Sequence, residues 1–323
     1  MDRIDIIIKL EERLKKINKE VIIDWSPYKE GISYNSREIL PLPNKDIKET
    51  LKKIFNLEIK NWDKFFEAAT NGSGQEINRI MKLHSSALLA LLCFSNVSDK
   101  KPIWIDNIKY VKSWFEIQNK VFENPSSIDI VLKSENGDLL FLESKFTEYL
   151  HTGNPNIRMD YFDFYKKLFP QIPDTPIQIV YPKIFTYKGT SVTGLTIKPK
   201  SESIKYENLY LEGIKQCLSH IIGICKGPQN KDEECWQNIK NNATLTFASI
   251  IYKLKDPRFS TYADFYKISI GKITSQLIED SFTEPLNHVH QLHIRPKILT
   301  YQEVFKDQRN KILNKEISNF YNL

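Results

Sequence analysis

The chain has 323 residues, of which 41% are hydrophobic and 27% charged, the balance of an ordinary globular protein with a substantial core. The longest apolar run, ALLALLCF at 87–94, is too short to span a bilayer, and the four cysteines form no C-x-x-C pair, so neither a membrane span nor a cysteine-based zinc module is expected. The net charge of +6 is compatible with an anionic partner such as nucleic acid.

The N-terminal sequence, MDRIDIIIKLEERLKK, carries charges throughout and has no apolar signal core. We therefore expect a cytoplasmic protein with reduced thiols and no membrane partner. The same sequence predicts an amphipathic helix over 4–20. Its inward face is expected to consist of Ile4, Ile7, Ile8 and Leu14.

The following segment, 26–46, is rich in proline and lacks periodicity, which predicts a loop. Helices are then expected over about 46–56, 61–69 and 75–92, the last with a buried C-terminal half. The centre of the chain is rich in β-branched and aromatic residues. It predicts strands over 112–122, 126–132, 138–146, 175–182 and 243–254, and helices over 158–169 and 209–225. The last 65 residues are expected to be largely helical, with HVHQLHIRP as a strand or loop.

Two turn types are possible between the strands that flank residues 135–137. A two-residue Asn-Gly turn would pair Glu135 with Asp138 and would place the acids of the two strands on opposite faces. A three-residue loop with Gly137 in the left-handed region would instead pair Ser134 with Asp138 and form a glycine bulge.

The three-residue loop is favoured, because the register of a hairpin follows its hydrophobic pattern. It brings Ile130 opposite Leu142 on one side, and Asp129 opposite Glu143 on the other, with Lys145 two residues further on. Two carboxylates with Cβ atoms roughly 5 Å apart repel each other, and a divalent cation removes that repulsion. Magnesium suits such a site, since it needs only one or two protein carboxylates and keeps several waters.

Asp129 followed by a hairpin and Glu143-Ser144-Lys145 resembles the PD-(D/E)XK nuclease superfamily, which has the restriction-endonuclease-like fold. The flanking segments GSGQE, HSSALLALLCF, FEIQNKVF, IDIVL and ESKFTEYL resemble a bacterial group within it. The likeness covers about residues 70–150. The proline that usually precedes the aspartate is replaced here by isoleucine.

The resemblance implies an α/β fold with a central mixed β-sheet flanked by helices. We expect a nuclease-like core at 70–258. Residues 1–69 would form a mostly helical N-terminal elaboration, and residues 259–323 a mostly helical C-terminal extension packed on the core.

The resemblance also implies roles for individual residues. Asp129, Glu143 and the backbone carbonyl of Ser144 would bind Mg²⁺, for which Mn²⁺ can substitute. Lys145 would hold or deprotonate the attacking water and stabilise charge on the phosphate, a role that suits a compact ammonium. Glu76, at the start of a helix, would be a further catalytic acid that reaches the metal directly or through water; alternatively it stabilises the helix N-terminus.

Other polar residues are weaker candidates for the same site. Glu116, on the preceding strand, either approaches the metal centre or is a surface charge. Gln216 and His220 are four residues apart and share a helix face, where packing is the favoured role. Glu148 is expected to bond local backbone. A further cluster has zinc-like spacing but no fourth ligand nearby, so its role is open: His288, His290 and His293.

These expectations define an Mg²⁺-dependent nuclease, and the favoured version is a DNA endonuclease of restriction or defence type. Its expected substrate is double-stranded DNA, and a homodimer is one arrangement in which it would act. The alternative is a catalytically inactive nucleic-acid-binding module on the same fold. A third reading is a scaffold protein whose charged strand faces solvent.

Overall fold

The computed structural model describes residues 3–26, 36–57, 65–67, 80–121, 125–150, 156–158, 177–187, 190–199, 211–230, 233–237, 239, 243–280 and 291–323. Its helices in this part of the chain are α1 (Arg3–Ile17), α2 (Ile47–Phe55), α3 (Ser86–Phe94), α4 (Leu211–Lys226), α5 (Pro257–Asp280), α6 (Tyr301–Lys306) and α7 (Lys315–Tyr321). Its strands are β1 (Ile23–Ser26), β2 (Ser36–Ile39), β3 (Ile103–Ile105), β4 (Ile108–Asn119), β5 (Ser126–Ser134), β6 (Leu139–Lys145), β7 (Asn156–Arg158), β8 (Ile177–Tyr187), β9 (Thr190–Pro199), β10 (Thr244–Ile251), β11 (Gln291–Ile294) and β12 (Leu299–Thr300).

The central sheet has the strand order β11–β10–β6–β5–β4–β3, and β12 also pairs with β10. Strands β3 to β6 are antiparallel neighbours, whereas β10 runs parallel to β6 and to both β11 and β12. The predicted α/β class with a mixed central sheet flanked by helices is confirmed. A separate antiparallel sheet has the order β7–β9–β8.

The β5–β6 hairpin has the register that the hydrophobic pattern favoured. Ile130 pairs with Leu142, and the Ser134 N–H donates to the Asp138 carbonyl at 2.9 Å across a three-residue loop. Gly137 closes that loop with a φ of 94°, a conformation that favours glycine. The three-residue loop is therefore confirmed, and the two-residue turn is excluded.

The helix predicted over 75–92 is interrupted, because residues 81–85 are not helical. Residues 68–79 lie outside the described part, and α3 begins only after Ser85, whose hydroxyl caps the helix by accepting from the Leu88 N–H. Before that cap, the backbone at Met81 and Leu83 hydrogen-bonds to β2. Residues 81–83 therefore form a β-bridge with β2, which the apolar pattern could not reveal.

The inward face of α1 is also corrected. Ile7 and Leu14 are buried as predicted, but Ile4 is 46% exposed and Ile8 36% exposed. Their places in the core are taken by Ile6 and Leu10. Which stripe of the helix is buried depends on α1 packing against α7, a contact between opposite ends of the chain.

The proline-rich segment predicted as loop contains β2, which pairs with β1 in antiparallel register, so that prediction is wrong for residues 36–39. The C-terminal prediction is confirmed for α5, α6 and α7, and part of HVHQLHIRP forms β11. The helix predicted at 158–169 lies outside the described residues but for Arg158, the last residue of β7, and the helix at 61–69 does so except for 65–67.

One connected apolar core joins residues from the N-terminal, central and C-terminal parts of the chain, including Leu14, Leu142 and Phe320. The proposed boundaries near residues 69 and 258 remain predictions. No helix in the described part is long and apolar enough to cross a bilayer.

Candidate active site

Strand β6 carries two charged residues into the interior. Every one of its seven residues is buried, and the exposed fractions of Glu143 and Lys145 are only 2% and 6%. Because successive side chains of a strand point to opposite faces, these two share one face and Ser144 takes the other. A carboxylate and an ammonium buried together need partners, since removing ions from water costs several kcal/mol each.

Asp129 reaches β6 from the neighbouring strand. Its Oδ2 accepts a hydrogen bond from the Ser144 N–H at 2.7 Å. The β5–β6 register, continued one residue beyond the Ile130–Leu142 pair, places Asp129 opposite Glu143. The N–H and C=O of one strand residue point to the same side, so the Ser144 carbonyl is directed toward β5 as well. Asp129 thus stands beside the backbone between Glu143 and Lys145.

Glu143 lies between Lys145 and His220. Its Oε1 accepts from Lys145 Nζ, and its Oε2 is 2.8 Å from His220 Nε2 on α4. The second pair is within ion-pair distance but lacks hydrogen-bond geometry, so both atoms are buried without a hydrogen bond among the described residues. His220 is held from behind, because its Nδ1 bonds to the Ser126 hydroxyl.

The surroundings move the pKa values of the two carboxyls in opposite directions. Burial alone would raise the pKa of Glu143, but His220 and Lys145 outweigh it and lower the pKa to about 2. The pKa of Asp129 is raised well above its ordinary value by burial, by Glu143 and by Glu116, against the opposing effects of Lys145 and the Ser144 N–H. Burial and the neighbouring acids thus disfavour the ionised form of Asp129.

Glu116 supplies a third carboxylate near this place. It lies on β4 between the pairs Phe115–Ile130 and Ile117–Ile128, which puts it opposite Asp129 in the register. It is buried, and its φ of 52° is left-handed, a backbone conformation that costs a non-glycine residue about 1–2 kcal/mol. Such strain is concentrated at functional sites in proteins. Glu116 therefore approaches the same centre, one of the two possibilities for this residue.

The opposite face of β6 is anchored by polar contacts. The Ser144 hydroxyl bonds to Tyr301 Oη at 2.7 Å and donates to the Ser86 carbonyl at 3.3 Å. Since Ser86 opens α3 and His220 belongs to α4, these two helices cover opposite faces of the strand. The contacts fix the position of the backbone between Glu143 and Lys145.

Two of these contacts were not predicted from the sequence, and a third, that of His220, was given too little weight. Nothing in the pattern pointed to Ser126 or Tyr301, which are distant in the chain from their partners. His220 was a weaker site candidate for which packing was favoured, but it is buried against Glu143. Its signal was present: a histidine on a helix that follows an E-x-K strand.

The remaining candidates are placed differently. Gln216 is half-buried on α4, one turn before His220. Glu148 accepts from the Phe146 N–H at 2.6 Å, as expected for a local role. His293 is exposed on β11. The others lie outside the described residues: Glu76, His288 and His290.

The described side chains include no cluster of three or more His, Cys, Asp and Glu groups arranged to hold a metal ion. Two groups are nevertheless suited to a hard cation, namely the carboxylate of Asp129 and the Ser144 carbonyl beside it. Glu143 fits as a further ligand only through an oxygen that now faces Lys145 or His220. A cation bound beside Asp129 would favour the ionised form of its carboxyl group.

Comparison of the chain with protein-family models, with curated proteins and with solved structures finds no match.

Proposed function

We propose that this protein is an Mg²⁺-dependent nuclease of the PD-(D/E)XK superfamily that hydrolyses phosphodiester bonds, in the first place those of double-stranded DNA. One observation carries the proposal. Asp129, Glu143 and Lys145 come from two strands to one place, where Asp129 bonds to the backbone N–H of the residue between the other two.

The arrangement of elements supports a restriction-endonuclease-like core. The resemblance calls for a mixed sheet that carries the aspartate and the E-x-K sequence on the two strands of one hairpin, preceded by a helix. The chain supplies α3, the antiparallel strands β4, β5 and β6, then α4 and the parallel strand β10. Fold alone does not fix function, so the weight lies on the site.

The donor groups fit magnesium, which takes one or two carboxylates and keeps several waters. Asp129, the Ser144 carbonyl and Glu143 would hold the ion, with Glu116 or Glu76 as further acids. When bound, Mg²⁺ polarises the phosphoryl oxygen and makes water a better nucleophile. Mn²⁺ has similar ligand preferences and is expected to substitute.

The other side chains supply positioning and charge. Lys145 Nζ donates to Glu143. If Glu143 turned to a cation, Lys145 Nζ would be able to donate to a water or to a phosphate oxygen instead. His220 keeps the second oxygen of Glu143 in place during that change. The pKa of Asp129 is raised by burial and by the nearby acids Glu143 and Glu116. A bound cation would favour its ionised form.

A plasmid assay tests the proposal directly. Supercoiled DNA is incubated with the full chain in Mg²⁺ or in EDTA, and Lys145→Met is compared with Lys112→Met, in which an exposed lysine of β4 is changed instead. We expect cleavage only with Mg²⁺, at least a 100-fold loss in Lys145→Met, and near wild-type cleavage in Lys112→Met.

Circular dichroism and thermal melting establish that both variants are folded. Equal cleavage by the wild type and folded Lys145→Met would contradict the catalytic role, and so would cleavage that persists in EDTA. Sedimentation of the protein with and without duplex tests the homodimer that double-strand cutting would suit.

A catalytically inactive nucleic-acid-binding module on the same fold is the second candidate. It is favoured by the engagement of both Glu143 oxygens with Lys145 and His220, and by the lack of a three-ligand cluster among the described residues. Calorimetric titration with Mg²⁺ separates the two. Binding that is weakened at least tenfold in Asp129→Asn supports the nuclease, whereas duplex binding without any Mg²⁺ binding supports the module.

A further inference from the structure

The chain between β6 and α4 contains a second sheet that the proposed chemistry does not use. This part of the chain begins after Lys145, where β6 of the central sheet ends. It ends before Leu211, the first residue of α4, which carries His220. A parallel crossover from β6 to β10 needs only a helix and short loops. Both ends of this insertion therefore join elements that hold candidate site residues.

The insertion is built around a long antiparallel ribbon, formed by β8 and β9 and defined as residues 177–199. Its strands pair from Ile177–Pro199 to Tyr187–Thr190, with one irregularity between Val180 and Lys183. At about 3.4 Å per residue, the longer strand spans roughly 35 Å. A two-stranded ribbon of this kind fits the major groove of B-form DNA, which is about 12 Å wide.

The ribbon has an edge without a partner strand among the described residues. Strand β9 lies between β7 and β8, so that β8 is the outer strand. Ile184, near the middle of β8, is 74% exposed, and Ser191, which pairs with Thr186, is exposed as well. An edge strand, such as β8 within the described part of the chain, presents unpaired backbone N–H and C=O groups to another molecule.

The charge of the ribbon differs from that of the chain as a whole. The complete sequence is nearly balanced, with 46 basic and 40 acidic residues. Residues 177–199 have no Asp or Glu and contain three lysines, together with several threonines and a serine. Lysine and hydroxyl side chains are typical donors to phosphate oxygens. The lysines of the ribbon are Lys183, Lys188 and Lys198.

We propose that the ribbon binds the phosphate backbone of a nucleic-acid duplex and delivers it to the site at Asp129 and Glu143. The identity of the partner rests on the proposed function, because the duplex is its substrate. Contacts of this kind to phosphates carry no sequence information, so the binding is expected to be strong at low salt and independent of sequence.

The test measures binding in EDTA, where no cleavage is expected. The full chain is titrated with a fluorescent mixed-sequence duplex at several salt concentrations. The ribbon variant is K183Q/K188Q/K198Q. The matched control, K52Q/K100Q/K311Q, changes three exposed lysines of other elements and loops. An arginine version of the ribbon variant retains the charge.

We expect the glutamine ribbon variant to bind at least tenfold more weakly at moderate salt. The negative slope of log K against log salt should become shallower by about 0.9 for every phosphate that the variant no longer neutralises. The arginine version and the control should keep the wild-type affinity and slope. If the ribbon variant and the control bind alike, the ribbon does not hold the duplex, and its lysines protect an exposed strand edge from aggregation instead.

Cleavage separates this failure from that of the proposed function. If the ribbon variant cuts plasmid in Mg²⁺ and binds the duplex with unchanged affinity, duplex binding by the ribbon is overturned and the nuclease activity stands. If duplex binding depends on the ribbon lysines but the wild type does not cut, the nuclease activity is overturned and duplex binding by the ribbon is supported. Tighter binding of a membrane vesicle or an acidic protein than of the duplex, through the same lysines, would overturn the choice of partner.

Discussion

The two long antiparallel hairpins of this chain have similar backbones and opposite surroundings. The β5–β6 hairpin is enclosed: all of β6 is buried, and Glu143 and Lys145 lie inside. The β8–β9 hairpin contacts β7 in its own small sheet and exposes an isoleucine. In the enclosed hairpin every side chain affects stability, and its buried ions need partners. At the two positions of β8 and β9 that are exposed, Ile184 and Ser191, a side chain can serve binding at little cost to stability.

The same substitution in both hairpins is expected to show the largest contrast. Ile130→Ala should lower the free energy of unfolding by about 2–5 kcal/mol, because it leaves a cavity in the core. Ile184→Ala should change it by no more than about 0.5 kcal/mol, because that side chain is mostly in water. Urea titration measures both. Similar losses would mean that the two hairpins are equally enclosed.

The two carboxylates of the candidate site should respond differently to neutralisation. Glu143→Gln removes the carboxylate charge beside Lys145 and His220 and should lower the free energy of unfolding by about 1.5–3 kcal/mol at pH 7. Asp129→Asn should leave it unchanged or raise it, since burial and nearby acids disfavour the ionised Asp129. Urea unfolding without metal checks this, and equal destabilisation by both variants would contradict it.

The lowered pKa of Glu143 predicts a stability that depends on pH. With a pKa of about 2 when folded and an ordinary value of 4.5 when unfolded, its contribution is complete above pH 4.5. It is lost progressively as the pH falls toward 2, because the unfolded chain then binds the proton first. The gap in unfolding free energy between wild type and Glu143→Gln should therefore narrow over this range. A constant difference in unfolding free energy would show that Lys145 and His220 do not lower the pKa of Glu143.

Two buried tyrosines allow the smallest contrast. Tyr301→Phe removes the hydroxyl that bonds to Ser144 and should cost about 1 kcal/mol. Tyr321→Phe removes a buried hydroxyl with no hydrogen bond among the described residues, and should be neutral or stabilising. Thermal melting of the two variants compares them, and an equal loss in both would show that the Ser144 contact contributes nothing.

Local patterns were sufficient for the hairpin that carries the candidate site. The alternation of apolar and charged residues, together with a glycine at position 137, predicted the loop length and the pairing of Ile130 with Leu142. That register in turn predicted that Asp129 and Glu143 would share a face. Helix α2 was predictable for the same reason, since Asp46 caps it and its apolar residues recur at helical spacing. The start of α3 was not, because residues 81–83 pair with a strand 40 residues earlier.

The sequence by itself determined the α/β class, the strands β5 and β6, and the position of three charged residues relative to one another. These follow from interactions between near neighbours, which a period of two or of 3.6 residues records. Only the tertiary structure placed His220 against Glu143, Tyr301 behind Ser144 and Glu116 opposite Asp129. Such contacts depend on how a crossover, a chain terminus and a strained strand residue pack, and packing between distant segments leaves no periodic trace in the sequence.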